Sequence, residues 1–162
     1  MDSSSMRTSA VIDPTGAYRY RLRREWDDTL PRTCFVMLNP STADATLDDP
    51  TIRRCIGFSR FWGCGSVEVV NLFALRSTDP RALLSAADPV GAENDQHIRE
   101  ASTSALVVVA AWGAHGALLN RDRKVMRLLD SPQCLGVTSA GFPRHPLYVA
   151  GSTSLVRYGG RP

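Results

Sequence analysis

Four short apolar runs, Thr33–Leu38, Val67–Leu72, Ala105–Ala111 and Cys134–Thr138, recur along the chain with stretches of helical periodicity between them. Strands spaced this way can pair in parallel only through crossover connections, and those crossovers cover both faces of the sheet. The pattern predicts an α/β domain: a three-layer α/β/α sandwich around a mainly parallel four-stranded sheet. Between the first two runs, Asp49 and Pro50 supply a cap and a first-turn proline. Ile52, Cys55, Ile56 and Ser59 then follow at i, i+3, i+4 and i+7 before Gly63. Further helices are expected over Asp95–Ser102 and over Arg121–Leu129, where Val125, Leu128 and Leu129 share one side. Thr78-Asp79-Pro80 reads as the start of another helix.

Ahead of the first run, Val11-Ile12, the turn Asp13-Pro14-Thr15-Gly16 and Tyr18–Arg23 predict a β-hairpin, with residues 1–9 a disordered lead-in. Strict alternation sends Tyr18, Tyr20 and Leu22 to one face and Arg19, Arg21 and Arg23 to the other. The arginine stripe is either a solvated edge or a surface that meets phosphates. The 162 residues suffice for one domain, residues 10–162, that needs no staple to hold a core.

Several function classes are excluded at this level. No apolar run approaches the ~20 residues of a membrane span and the start lacks a signal peptide's apolar stretch, so no membrane partner and a cytoplasmic location are expected. Cys34, Cys55, Cys64 and Cys134 contain no C-x-x-C pair, and His97, His115 and His145 are scattered, so no metal is expected. No glycine-rich phosphate loop follows the first strand, which argues against dinucleotide or ATP binding, and no cofactor is expected. The net charge of +3 permits an anionic partner. Lys124 is the single lysine among 19 basic residues, the rest being arginines suited to phosphates and base edges.

Ligands of parallel α/β sheets bind beyond the carboxyl ends of the strands. There this chain carries Met37-Leu38-Asn39-Pro40-Ser41, Val70-Asn71-Leu72-Phe73, Ala111-Trp112-Gly113 and, after the fourth strand, Arg144-His145-Pro146-Leu147-Tyr148. Asn39-Pro40 is a turn or a site, and Asn71 in an apolar strand is either held structurally or reads a ligand. Trp112 is core or a stacking surface. His145 is the first candidate histidine and His115 the reserve. Asp49 is a helix cap; Asp44 and Asp48 are paired carboxylates for which metal binding is the alternative use.

In this order the motifs resemble the uracil-DNA glycosylase superfamily over roughly Cys34–Val149. The blocks Met37–Asp44, Asp48–Arg54 and His145–Tyr148 also resemble those of an uncharacterised bacterial family. The resemblance implies that Asn39 and Pro40 form the water-activating motif, that Asn71 reads the base, and that His145 stabilises the departing base. Leu147 or Tyr148 would be the wedge that enters the duplex, with Trp112-Gly113 closing the third strand. The contact that sandwiches the base would lie near Thr51 and Ile52. Ser41 stands where strictly uracil-selective members carry a bulky tyrosine, which leaves room at C5. The expected substrate is therefore uracil or a 5-substituted uracil in DNA, with 5-hydroxymethyluracil favoured because Ser41 or Thr42 can bond its hydroxyl.

The residue chemistry agrees with that expectation. Breaking an N-glycosidic bond makes an oxocarbenium-like sugar and an anionic pyrimidine, so it needs an oriented water and a donor at the base oxygen. Asn39 orients a water without acting as a strong base, and Asn71 offers the donor and acceptor that match the acceptor and donor a flipped uracil presents side by side. Because Lys124 is the only lysine and lies in a predicted helix, a Schiff-base lyase step is not expected, and the enzyme would be monofunctional. Arg144, Arg53 and Arg54, with Arg76 and Arg157, are candidate phosphate contacts. The expected partner is DNA bearing a modified or deaminated pyrimidine, in repair or in defence against modified phage DNA; no obligate protein partner is evident. Three alternatives stand: a reader that flips modified bases without cleaving, an enzyme of free nucleosides or nucleotides, and an interaction module on the same fold.

Overall fold

The computed structural model describes residues 6–162. Seven strands form one mixed sheet: β1 (Arg7–Ile12), β2 (Arg19–Glu25), β3 (Arg32–Met37), β4 (Ser66–Asn71), β5 (Val107–Ala110), β6 (Gln133–Cys134) and β7 (Val156–Arg157), in the spatial order β1-β2-β4-β3-β5-β6-β7. The four predicted strands fall in its parallel centre, β4-β3-β5-β6, but the fourth is only Gln133–Cys134 where Cys134–Thr138 was expected. The sheet is larger than the expected four strands because the hairpin joins it antiparallel through β2–β4 and β7 adds antiparallel to β6. Val67, Val69, Val70, Phe35 and Val36 are buried on both sides of the central strands, which accounts for runs that are apolar throughout rather than alternating.

Helix α1 (Pro50–Phe61) begins as its sequence dictates, the Asp49 carboxylate accepting the Ile52 N–H at 2.9 Å. It buries Ile52, Cys55 and Phe58 on one face of the sheet, with Phe35, Met37, Val67, Val69 and Leu22. The opposite face packs Ile98 and Ala101 of α3 (Asn94–Thr103) and Val125 of α4 (Arg121–Met126) on Cys34, Val36, Val70 and Ala110. A short α2 (Arg81–Ser85) follows Asp79, whose Oδ1 accepts the Arg81 N–H at 2.9 Å. Helix α4 ends three residues before the expected Leu129, where the Leu128 N–H bonds back to Val125 in a turn.

The N-terminal expectations need two corrections. Arg7–Ser9, placed in a disordered lead-in, are β1 residues paired with Arg23–Glu25; residues 1–5 of that lead-in lie outside the described residues. The arginine stripe is neither an edge nor one face. β2 is interior, between β1 and β4, and its pairing slips where Val11 opposes Arg21 but Ile12 opposes Arg19. The extra residue is a β-bulge, and a bulge breaks period-two alternation. Tyr20 therefore stacks on His97 of α3, ring centroids 4.9 Å apart, while Leu22 joins the α1 face. Arg21 pairs with Glu68 and with Glu100 at 3.0 Å. Arg19 turns instead toward the carboxyl ends of the central strands.

Candidate functional site

The connection from β3 to β4 passes through α1 on one face and that from β4 to β5 through α3 on the other. The chain thus diverges at β3, with β4 and β5 on either side. Beyond the carboxyl ends of these strands lies a cavity of about 530 Å³, in the size range of small-molecule sites. β3 contributes Met37 to Ser41, β4 Asn71, and β5 Trp112 to His115; Arg19, Asp49, Thr138, Arg144, His145 and Tyr148 complete the principal polar and aromatic wall.

Asn71 is 1% exposed, and neither its Nδ2 nor its Oδ1 has a hydrogen-bond partner among the described residues. Its backbone is well held, the carbonyl accepting Asn94 Nδ2 at 2.9 Å, so the side chain alone is left over. A buried amide without partners costs on the order of 1–3 kcal/mol, which a fold tolerates where a ligand or water completes it. The Trp112 indole N–H is likewise buried without a partner, while its ring meets Tyr158 edge-on at 5.8 Å. Trp112 is thus both a core residue and a cavity wall. Gly113 follows at φ 74°, and its N–H donates to Pro143 at 2.9 Å, tying the end of β5 to the loop that precedes His145.

Asn39 does a structural job with one end of its amide. Nδ2 faces three backbone carbonyls, Ser77 at 2.9 Å, Pro40 at 3.2 Å and Leu75 at 3.4 Å. That arrangement fixes which end is nitrogen. Oδ1 accepts no hydrogen bond among the described residues, on a residue that lines the cavity. Ser41 Oγ donates to Asp49 Oδ2 at 3.3 Å, so Asp49 caps α1 and ties it to the β3 loop.

His145 is half-buried, and its Nδ1 accepts the Leu147 N–H at 3.1 Å. An accepting Nδ1 carries no proton, so the ring is the neutral tautomer with its N–H at Nε2. Burial pushes its pKa below the usual histidine value, with Asp49 opposing the shift. Pro146–Tyr148 form a 3-10 turn, and Arg54 of α1 clamps it, Nε donating to the Pro146 carbonyl at 3.1 Å and Nη2 to that of Val149.

Residues 19–147 match the model of a family described as a protein of unknown function, DUF1643. The chain belongs to that family. No curated protein and no solved structure matches it. The family match opens at Arg19 and closes at Leu147, so it takes in every cavity residue named above except Tyr148.

Of the sequence-derived candidates, Asn39, Pro40, Ser41, Asn71, Arg144, His145 and Tyr148 converge on the cavity, and the reserve His115 is there too. Thr42 is exposed and outside its wall, whereas Ser41 lines it. Leu147, Arg53 and Arg54 line a neighbouring shallow groove with Phe58 and Phe61. Leu147 and Tyr148 are 43% and 80% exposed, free to meet a partner at the rim. Arg53 and Arg144 are exposed, whereas Arg54 is spent on the loop carbonyls. Asp44 and Asp48 are employed locally. Asp44 Oδ1 closes a turn onto Thr46 and Leu47, and Asp48 pairs at 2.8 Å with the fully buried Arg24, which also donates to the Asp44 carbonyl. Sequence reasoning missed Arg19, because only the bulge and the docking of the hairpin on β4 bring it to the site.

Proposed function

We propose that this protein is a monofunctional DNA glycosylase that hydrolyses the N-glycosidic bond of uracil or a 5-substituted uracil in DNA, 5-hydroxymethyluracil above all. Its scaffold is then the three-layer α/β/α domain of the uracil-DNA glycosylase superfamily, acting on cytoplasmic DNA. The observation that carries the reading is Asn71, whose buried Nδ2 and Oδ1 both lack partners on the cavity wall. A uracil presents a carbonyl acceptor beside the N3–H donor, the complement of one amide side chain.

In this reading the residues around it take the remaining roles. Asn39 Oδ1, its amide held in place through Nδ2, accepts a hydrogen bond from the attacking water and so orients it. The water oxygen bonds to C1′ as the N1–C1′ bond breaks, the electron pair leaves with the base, and the water's proton passes to solvent. Because an amide cannot take that proton, the base must depart as a stabilised anion. His145 Nε2–H donates to the base oxygen on which the charge develops. Lys124, on α4, is not among the cavity-lining residues, in keeping with hydrolysis by water rather than by an amine. Leu147 and Tyr148 fill the vacated stack, and Arg53 and Arg144 meet phosphates.

A second reading has its own support. Asn39 Nδ2 is committed to three backbone carbonyls, so Asn39 already has a structural role, and a non-cleaving reader of modified bases would need only Asn71, the wedge and the arginines. An alkaline-cleavage assay on oligonucleotides carrying uracil, 5-hydroxymethyluracil, thymine opposite guanine, or hypoxanthine separates the two. Abasic sites lost in Asn39→Ala and His145→Ala support the enzyme; tight binding without abasic sites in the wild type supports the reader.

A further inference from the structure

Three arginines are buried in this fold, and two are neutralised at contact distance: Arg24 by Asp48 at 2.8 Å and Arg121 by Asp95 at 2.5 Å. Arg19 is the exception. It is 2% exposed, takes part in no ion pair among the described residues, and lines the cavity. Its Nη1 donates to the Ala43 carbonyl at 3.1 Å, and its Nε has no partner. Asp49 attracts it from beyond contact distance, with its carboxylate already engaged by Ile52 and Ser41, while Arg24 and Arg76 repel it. A buried charge without a counter-ion is costly, and arginine is almost never fully buried unpaired. Burial lowers its pKa to about 10, which leaves the guanidinium charged at neutral pH.

We propose that Arg19 is the anion receptor of the cavity, its guanidinium binding a planar heterocycle that carries negative charge on an exocyclic oxygen. Taking that heterocycle to be the departing pyrimidine rests on the glycosylase reading; the receptor itself does not. The chemistry calls for such a group. The neutral His145 donates one hydrogen bond but brings no charge, whereas a desolvated cation fixed in a cavity stabilises a developing anion far more than it stabilises the neutral base. Ground-state uracil would gain little from Arg19 and its anion would gain much.

Barbiturate, a pyrimidine ring that is anionic at neutral pH, is the probe, with uracil as its neutral counterpart. Calorimetric titration of the full chain at pH 7 is expected to show barbiturate binding at least ~10-fold tighter than uracil, the reach of one charge-assisted hydrogen bond. Arg19→Gln, which removes the charge and keeps one NH2 donor group on a shorter side chain, should lose that preference while still binding uracil, and Arg19→Lys should keep part of it. Should Arg19→Gln fail to fold, the Arg19 Nε resonance of the wild type remains as a readout and should move on adding barbiturate. Equal affinity for the two rings, a preference that survives in Arg19→Gln, or an unmoved Nε resonance overturns the assignment. The excision assay is read separately. Arg19-dependent barbiturate binding without excision of any base keeps the receptor and removes the glycosylase reading. Excision by Arg19→Gln at the wild-type rate keeps the glycosylase reading and overturns the assignment of the departing pyrimidine to Arg19.

Discussion

His145 Nδ1 accepts the backbone N–H of Leu147, two residues further on, at 3.1 Å. This bond joins the proposed leaving-group donor to the proposed wedge, and protonating Nδ1 breaks it. Since burial lowers the pKa of His145, the folded state binds the proton less readily than the unfolded chain does. Linkage then has a definite sign: stability from this group is full above the ordinary histidine pKa of about 6.5 and declines as pH falls toward the lower folded value. His97, also shifted down by burial, adds in the same direction. Thermal melts between neutral and mildly acidic pH should show the melting temperature falling on acidification, with a smaller slope in His145→Ala.

Asn71→Leu should separate stability from function. It removes two buried polar atoms that have no partners and fills the same space with hydrocarbon. Denaturant titration is expected to find the variant as stable as the wild type or more so, by up to about 1–3 kcal/mol. A loss of stability would mean that the amide is satisfied in the protein and is not reserved for a ligand.

Arg54 and Arg53 are sequence neighbours with opposite expected behaviour. Arg54→Ala removes the donors that hold the Pro146 and Val149 carbonyls, and should cost about 1–3 kcal/mol of stability. It should also loosen the loop that carries His145. Arg53→Ala touches an exposed residue with no such bonds, so its melt should be unchanged while its affinity for DNA falls and becomes less salt-dependent by about one phosphate contact.

Gly116→Ala tests how tightly the cavity wall is built. A Cβ there would sit 2.1 Å from Trp112 Cδ1, so the indole must move. Overpacking of this kind costs about 1–3 kcal/mol. The expected signature is a melting temperature below that of the wild type together with a changed Trp112 fluorescence environment.

How far the sequence foretold all this varies with the physics involved. Asp49-Pro50 and the spacing of Ile52 and Cys55 are local signals, and α1 begins where they say. The central strands were readable because burial on both faces leaves no polar alternation to confuse. Arg19 was not readable, since its turn into the cavity depends on a bulge opposite β1 and on β2 docking against β4, neither of which leaves a local signature. β7 was missed because two residues carry no period. Arg54 could be taken for a phosphate contact because the carbonyls it binds lie 92 and 95 residues away. The candidate site fared better than the sheet edges. The ends of β3, β4 and β5 were located as the ends of continuous apolar runs, and strand ends in such sheets meet at one rim.

The account stands most directly on excision by the wild type compared with Asn71→Leu, on duplexes carrying 5-hydroxymethyluracil or uracil at one position. It predicts abasic sites formed by the wild type and formed on the order of 100-fold more slowly, or not at all, by an Asn71→Leu variant that melts no lower, as expected when a site built to hydrogen-bond its substrate loses that group. Abasic sites absent with every substrate, or formed equally fast by Asn71→Leu, would contradict it.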